Sequence, residues 1–291
     1  MSLKIKNSSL HPAGTAVVRK RDLRSTALAA PPLLFLALFF VLPLCVLFAI
    51  SLTTPVFGLQ NYQKLLGDST YFRVLGNTFT VSATVTIVAL LIGYPVAWLL
   101  AIMPSRGARI LLSIILISMW TNLIARTYAW MVLLQNTGAI NRALINIGLI
   151  DRPLPLINNL FAVVVGMTYI MLPFVILPIR TTMMSIDPSM MKAASLCGAR
   201  PYQVFFRVLL PLSMPGIGAA ALMVFVMTLG YYVTPSLLGG ASNIMLGEMV
   251  AQQMLTLLDW GLGSAAAFLL LAIALALYAV FVKFFGLKAV G

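Results

Sequence analysis

Asp187, Lys192, Ala193, Ala194, Gly198, Leu210 and Pro211 share one polar stretch, 181–212, and their types and spacing suit protein docking more than bond-breaking chemistry. Asp187 before Pro188 is a helix start, with a side-chain cap and proline at the first helical position. A helix from there places Met190, Ala194 and Gly198 on one face at four-residue spacing. That face is small and smooth, so another protein surface could approach it closely. Arg200-Pro201 then breaks the chain, because a residue before proline is biased away from helix. A second short helix from Pro201 would carry Tyr202, Phe205, Phe206 and Leu209 on an apolar face along the membrane surface. Pro211 and Pro215 then precede the next apolar run. Such a helix-turn-helix is expected to be a docking element.

Catalytic and metal chemistry find no comparable pattern. The chain has 6 Asp and Glu, 1 His and 2 Cys. His11 stands in the N-terminal tail, and Cys45 and Cys197 fall in different segments, so neither a metal site nor a disulfide framework is expected. The apolar runs contain no Asp or Glu, which leaves no intramembrane constellation for an enzyme or for proton coupling. No Gly-x-x-x-x-Gly-Lys-Ser/Thr phosphate loop occurs, so the chain has no ATP site of that kind. Residues that could meet a small molecule are Trp120, Asn122, Tyr128, Tyr169, Tyr231 and Tyr232, polar or aromatic groups within or near span ends. Their rings could hold an ammonium group by cation–π attraction. Trp and Tyr also anchor at the bilayer interface, which is the competing role. Arg126 is read as snorkelling or pairing with a helix end.

The elements that position these residues are membrane spans. Hydrophobic residues make up 61% of the 291, charged residues 9%, and mean hydropathy is +1.03. A soluble domain carries roughly a quarter charged residues. Six apolar runs, about 27–51, 77–103, 109–133, 160–180, 213–232 and 265–285, reach or approach the roughly 20 residues that cross a bilayer. Pro43, Gly93, Pro95, Pro173 and Pro178 interrupt them and read as bends. The first run is too long for a signal peptide and is read as uncleaved. Residues 1–26, with Arg19-Lys20-Arg21 and Arg24, form a basic tail, and 27–291 form one membrane domain.

The net charge of +13 is explained by sidedness and not by nucleic-acid binding. With the N-terminus inside, only Lys64, Arg73, Arg126, Arg142 and Arg152 fall outside, an asymmetry that places both termini in the cytoplasm. The last outer connection, Val233 to Ser264, holds Glu248 and Asp259 and no basic residue.

Lys192-Ala193-Ala194, Gly198 and Val208-Leu209-Leu210-Pro211 resemble the EAA loop of ABC importer permeases: Glu-Ala-Ala, three residues, Gly, nine residues, Ile, any residue, Leu-Pro. The spacing matches throughout, with Val208 for isoleucine and Lys192 for glutamate. That last change reverses a charge and removes any ion pair the glutamate would make. Arg126-Thr127-Tyr128-Ala129-Trp130 with Gly138, Asn141 and Gly148 is similar to permeases of the spermidine/putrescine type. So are Leu172-Pro173-Phe174, Leu177-Pro178, Leu238-Gly239-Gly240, Asp259-Trp260 and Gly263-Ser264.

The resemblance implies an all-α fold of the type I ABC importer permease, about six transmembrane helices with a cytoplasmic coupling helix, in a bacterial inner membrane. It implies a second homologous permease subunit, two ATPase subunits and a periplasmic substrate-binding protein as partners. ATP and Mg would then act through the partner ATPases, with no cofactor or metal on this chain. Polyamines are the implied substrate; 4-aminobutyrate, opines and aminoethylphosphonate are carried within the same subfamily. An ion-coupled secondary transporter is the alternative class.

Overall fold

A computed structural model describes residues 31–285, and the basic tail 1–26, the expected start of the first span at 27 and Lys288 lie outside the described residues. The described chain is helical, in two units, one ending at Leu47 and the other beginning at Phe48. In the first, apolar side chains such as Leu34, Phe35 and Phe39 are exposed, as a segment solvated by lipid requires. The rings of Phe35 and Phe39 lie 4.7 Å apart.

Among the described residues, five helices are long and apolar enough to cross a membrane: α1 Pro31–Thr53, α3 Ser69–Ile102, α7 Leu160–Met184, α9 Pro201–Leu229 and α12, whose apolar stretch is Trp260–Lys283. Short helices connect them: α2 Gln60–Gly67, α6 Ala139–Asn146, α8 Pro188–Leu196, α10 Val233–Leu238 and α11 Leu246–Ala251. Asp68 caps α3 by accepting the Thr70 amide at 2.8 Å, so this helix begins well before the expected span at 77. At 34 residues, or about 51 Å at 1.5 Å per residue, it extends beyond a bilayer core of about 30 Å.

The expected third span, 109–133, is not straight. Helices α4 (Ser105–Trp120) and α5 (Leu123–Leu134) meet at a sharp break, and Ser105–Trp120 and Leu123–Asn146 are bent by 97° to each other. Thr121 is extended, and the Asn122 side chain accepts the Ile124 and Ala125 amides at 2.8 and 3.3 Å, restarting the helix in a new direction. α4 alone covers about 24 Å, less than a full bilayer core.

A helix starts at Pro201, as expected. The helix beginning there is not a separate surface helix; it runs unbroken through the proline-containing stretch into the fifth span. A wide π turn over Phe205–Leu209 makes this possible, with the Leu210 amide reaching back to the Phe205 carbonyl. Pro211 lacks an amide and its ring crowds the carbonyl four residues back; the widened turn gives it room.

The centre of the second unit is the packing of α3, α7 and α9. Val81, Val85, Ala89, Met167, Met171, Val175, Ile179, Ala220 and Val224 are buried there. Gly93 lets α3 and α7 approach closely, since a Cβ at that position would lie 2.6 Å from Val175 Cγ1. Small residues at such contacts are how membrane helices gain dispersion contacts without a hydrophobic drive between them. Hydroxyls tie the helices laterally: Tyr94 Oη on α3 lies 3.1 Å from Ser213 Oγ on α9.

Candidate functional site

The candidate docking element is built from local chain chemistry. Asp187 accepts the Ser189 amide at 2.9 Å and Pro188 occupies the first turn of α8. The Ser189 amide and hydroxyl hold the Asp187 carboxyl below its ordinary range. At the other end, the Cys197 amide donates to Ala193 at 3.0 Å, Gly198 to Ser195 at 3.0 Å and Ala199 to Ala194 at 3.1 Å. With Gly198 at φ +82°, these bonds form a Schellman closure that satisfies the last carbonyls of the helix.

This corrects the expected face of Met190, Ala194 and Gly198. The helix ends at Leu196, so Gly198 stands beyond it and serves by adopting the left-handed conformation. A Cβ there would meet nothing within 4 Å, so close packing within the chain does not require the glycine. What α8 presents outward is Lys192, Ala193 and Ser195, with Met190 and an 89% exposed Leu196. A concavity of about 530 Å³ lies against Met191, Lys192, Ser195 and Leu196.

The turn after α8 is joined rigidly to the bundle. Gln203 accepts the Arg200 amide at 2.8 Å, fixing the start of α9. Phe205 then packs edge-on to Tyr94 at 5.9 Å and to Trp98 at 5.3 Å, both on α3. The Phe205 ring and the Tyr94–Ser213 contact thus tie the start of α9, just after α8, to α3. Leu210 is half-buried and Pro211 exposed, one turn beyond that ring in α9.

The six candidate pathway residues do not gather in one place. Trp120 is 90% exposed at the break after α4 and Asn122 is the cap of α5. Tyr128 is exposed, while Tyr169 packs edge-on to Trp130 at 6.0 Å. Tyr231 packs at the margin of the α3–α7–α9 core. Arg126 is half-buried, and its Nε has no hydrogen-bond partner among the described residues.

Tyr232 alone of the six lines a cavity of about 410 Å³, at the end of α9 remote from α8. Ser236, Ile244, Glu248, Gln252, Leu255 and Thr256 share its wall. Glu248 is half-buried, and burial pushes its carboxyl above the ordinary range, partly offset by the Met245 amide. In the sequence Glu248 reads as a loop acid. The available signal was its spacing: Ile244, Glu248, Ala251 and Leu255 fall on one helical face of a connection without a basic residue.

Known proteins match this chain over most of its length. The family profile for "binding-protein-dependent transport system inner membrane component" matches residues 89–287. The spermidine/putrescine transport system permease protein PotB of Escherichia coli (strain K12) is 36% identical over 217 residues, 75% of this chain and 78% of that protein. The protein of the same name from Haemophilus influenzae is 35% identical over 209 residues, covering 72% and 73%. Among solved structures, a bacterial alginate ABC transporter in complex with its pentasaccharide-bound periplasmic protein has a chain that superposes with a TM-score of 0.73. It is 19% identical, with 90% of this chain and 93% of that chain covered.

Proposed function

The chain belongs to the binding-protein-dependent transport system inner membrane components, and from that premise we propose that it is the permease subunit of an ATP-driven importer of polyamines. It is a multi-pass inner-membrane permease of an ABC transporter, with the type I importer fold expected from its EAA-type loop. In this reading α8 is the coupling helix and faces the cytoplasm, as do both termini. Two ATPase subunits hydrolyse ATP with Mg, and one of them receives α8. A second homologous permease completes the pathway, and a periplasmic binding protein delivers the substrate.

The observation that carries the reading is the pairing of a rigidly closed, outward-facing α8 with a direct aromatic link into the core. The cap and the Schellman closure hold α8 as a defined helix, and its exposed Leu196 and Met190 offer apolar surface to a partner, which supports the docking role. The substrate follows from the PotB relatives, whose name gives spermidine and putrescine. Uptake of labelled putrescine by cells expressing the whole transporter tests it. Excess spermidine should compete. Competition by 4-aminobutyrate or aminoethylphosphonate instead would replace the substrate while leaving the permease assignment in place.

A further inference from the structure

We propose that Glu248 is the countercharge that selects a cationic substrate in the cavity beside Tyr232, an inference that rests on the polyamine reading above. Among the described residues, Glu248 is the one charged residue in the wall of that cavity. The other described acids are otherwise engaged or exposed. Asp68, Asp187 and Asp259 accept the amides of Thr70, Ser189 and Leu262, and Asp151 is exposed on the surface. Among the described residues no basic side chain acts on Glu248, whose carboxyl is influenced only by burial and the Met245 amide.

The surroundings suit an ammonium group. An ammonium has three donors to satisfy and no acceptor. The Glu248 carboxylate, the Ser236 and Thr256 hydroxyls and the Gln252 carbonyl are acceptors on the same wall, and the Tyr232 ring offers a π face. Ala241, Ala251, Ile244 and Leu255 supply apolar surface that fits the methylene segments between the amines. At about 410 Å³ the cavity falls within the usual range for small-molecule sites.

The wall bearing Glu248 is held in place. Thr78 Oγ1 on α3 accepts the Leu246 amide at 2.8 Å and donates to the Val74 carbonyl at 2.7 Å. Asn77 Nδ2 donates to the Ser242 carbonyl at 3.0 Å. The first turn of α11 is thus fixed to α3, the helix that Phe205 also contacts near its other end. A carboxylate positioned this way does not have to be reorganised when the cation arrives. Burial raises the strength of a charge–charge contact relative to open water.

The test compares wild type, Glu248→Gln and Glu248→Asp in the complete transporter reconstituted in proteoliposomes, with labelled putrescine, spermidine and 4-aminobutyrate. Glutamine keeps the size and an acceptor for the Met245 amide, so a loss reports the charge. The expected result is at least a tenfold rise in the half-saturating polyamine concentration for Glu248→Gln. The maximal rate should change less, and Glu248→Asp should recover most of the affinity. Polyamine uptake by Glu248→Gln equal to wild type overturns the role of Glu248 and leaves the substrate reading standing. Failure of the wild type to import either polyamine overturns both.

Discussion

The Ala199 amide donates to the Ala194 carbonyl at 3.1 Å, and this bond exists because Gly198 between them holds φ +82°. An L-residue in that conformation costs roughly 1–2 kcal/mol, with asparagine the best tolerated substitute. Gly198→Val is expected to abolish uptake while leaving membrane insertion intact, and Gly198→Asn to keep a substantial fraction. Side-by-side uptake and membrane-fraction blots check this. Equal loss in both variants would point to crowding at a partner surface as the reason for glycine.

Phe205 packs the start of α9 against Tyr94 and Trp98 of α3, and in the proposed mechanism it carries the movement of α8 to the bundle. Aromatic pairs of this kind are worth about 0.5–1.5 kcal/mol each beyond area burial. Phe205→Ala should therefore cut transport severalfold with ATPase subunits still bound. The check is ATP hydrolysed per substrate imported, which should rise.

Gly93 and Val175 set the spacing of α3 and α7. Gly93→Ala introduces a Cβ within 2.6 Å of Val175 Cγ1 and should destabilise by about 1–3 kcal/mol as an overpacked core does. Val175→Ala in the same chain should recover much of that loss. Thermal unfolding of the wild type, the single variant and the double variant in detergent measures it.

Two carboxyls give opposite pH behaviour. The Asp187 value is depressed in the fold by the Ser189 amide and hydroxyl, so its stabilisation is present above the ordinary carboxylate value. That stabilisation is lost only as pH falls through the depressed one. Its cap should stay intact from neutral to mildly acidic pH. The Glu248 value is raised by burial, so its charged form costs stability as pH rises through that value. Cation binding needs that charged form, and Tyr232 is the other titratable group in the cavity wall. Polyamine affinity should fall on acidification while an ordinary glutamate would still be ionised. Glu248→Gln should lack that step in a pH series of half-saturating concentrations.

Much of this arrangement was legible in the residues. Composition and apolar runs gave the membrane class, and Asp187-Pro188 gave the start of α8 to the residue. Gly198 was recognised as important but placed on the wrong feature, because four-residue spacing cannot tell a helix face from the residue that ends the helix. Arg200-Pro201 marks a break and the start of α9 as expected, but Pro211 and Pro215 do not set that helix apart from the next span, because a π turn at 205–209 gives Pro211 room and leaves α9 continuous. The bend at Asn122 was hidden because both arms are apolar, and a lone polar residue inside an apolar run gives no sign of a 97° turn. Glu248 was overlooked because its significance lies in the cavity formed by distant segments.

The most direct measurement places a photo-crosslinking residue at position 196, where Leu196 is 89% exposed on α8, in the chain expressed in its native membrane. The account predicts a crosslink to an ATP-hydrolysing subunit, co-purifying with a second permease in mild detergent. Recovery of the chain without any ATPase, active in proteoliposomes without ATP, would contradict it.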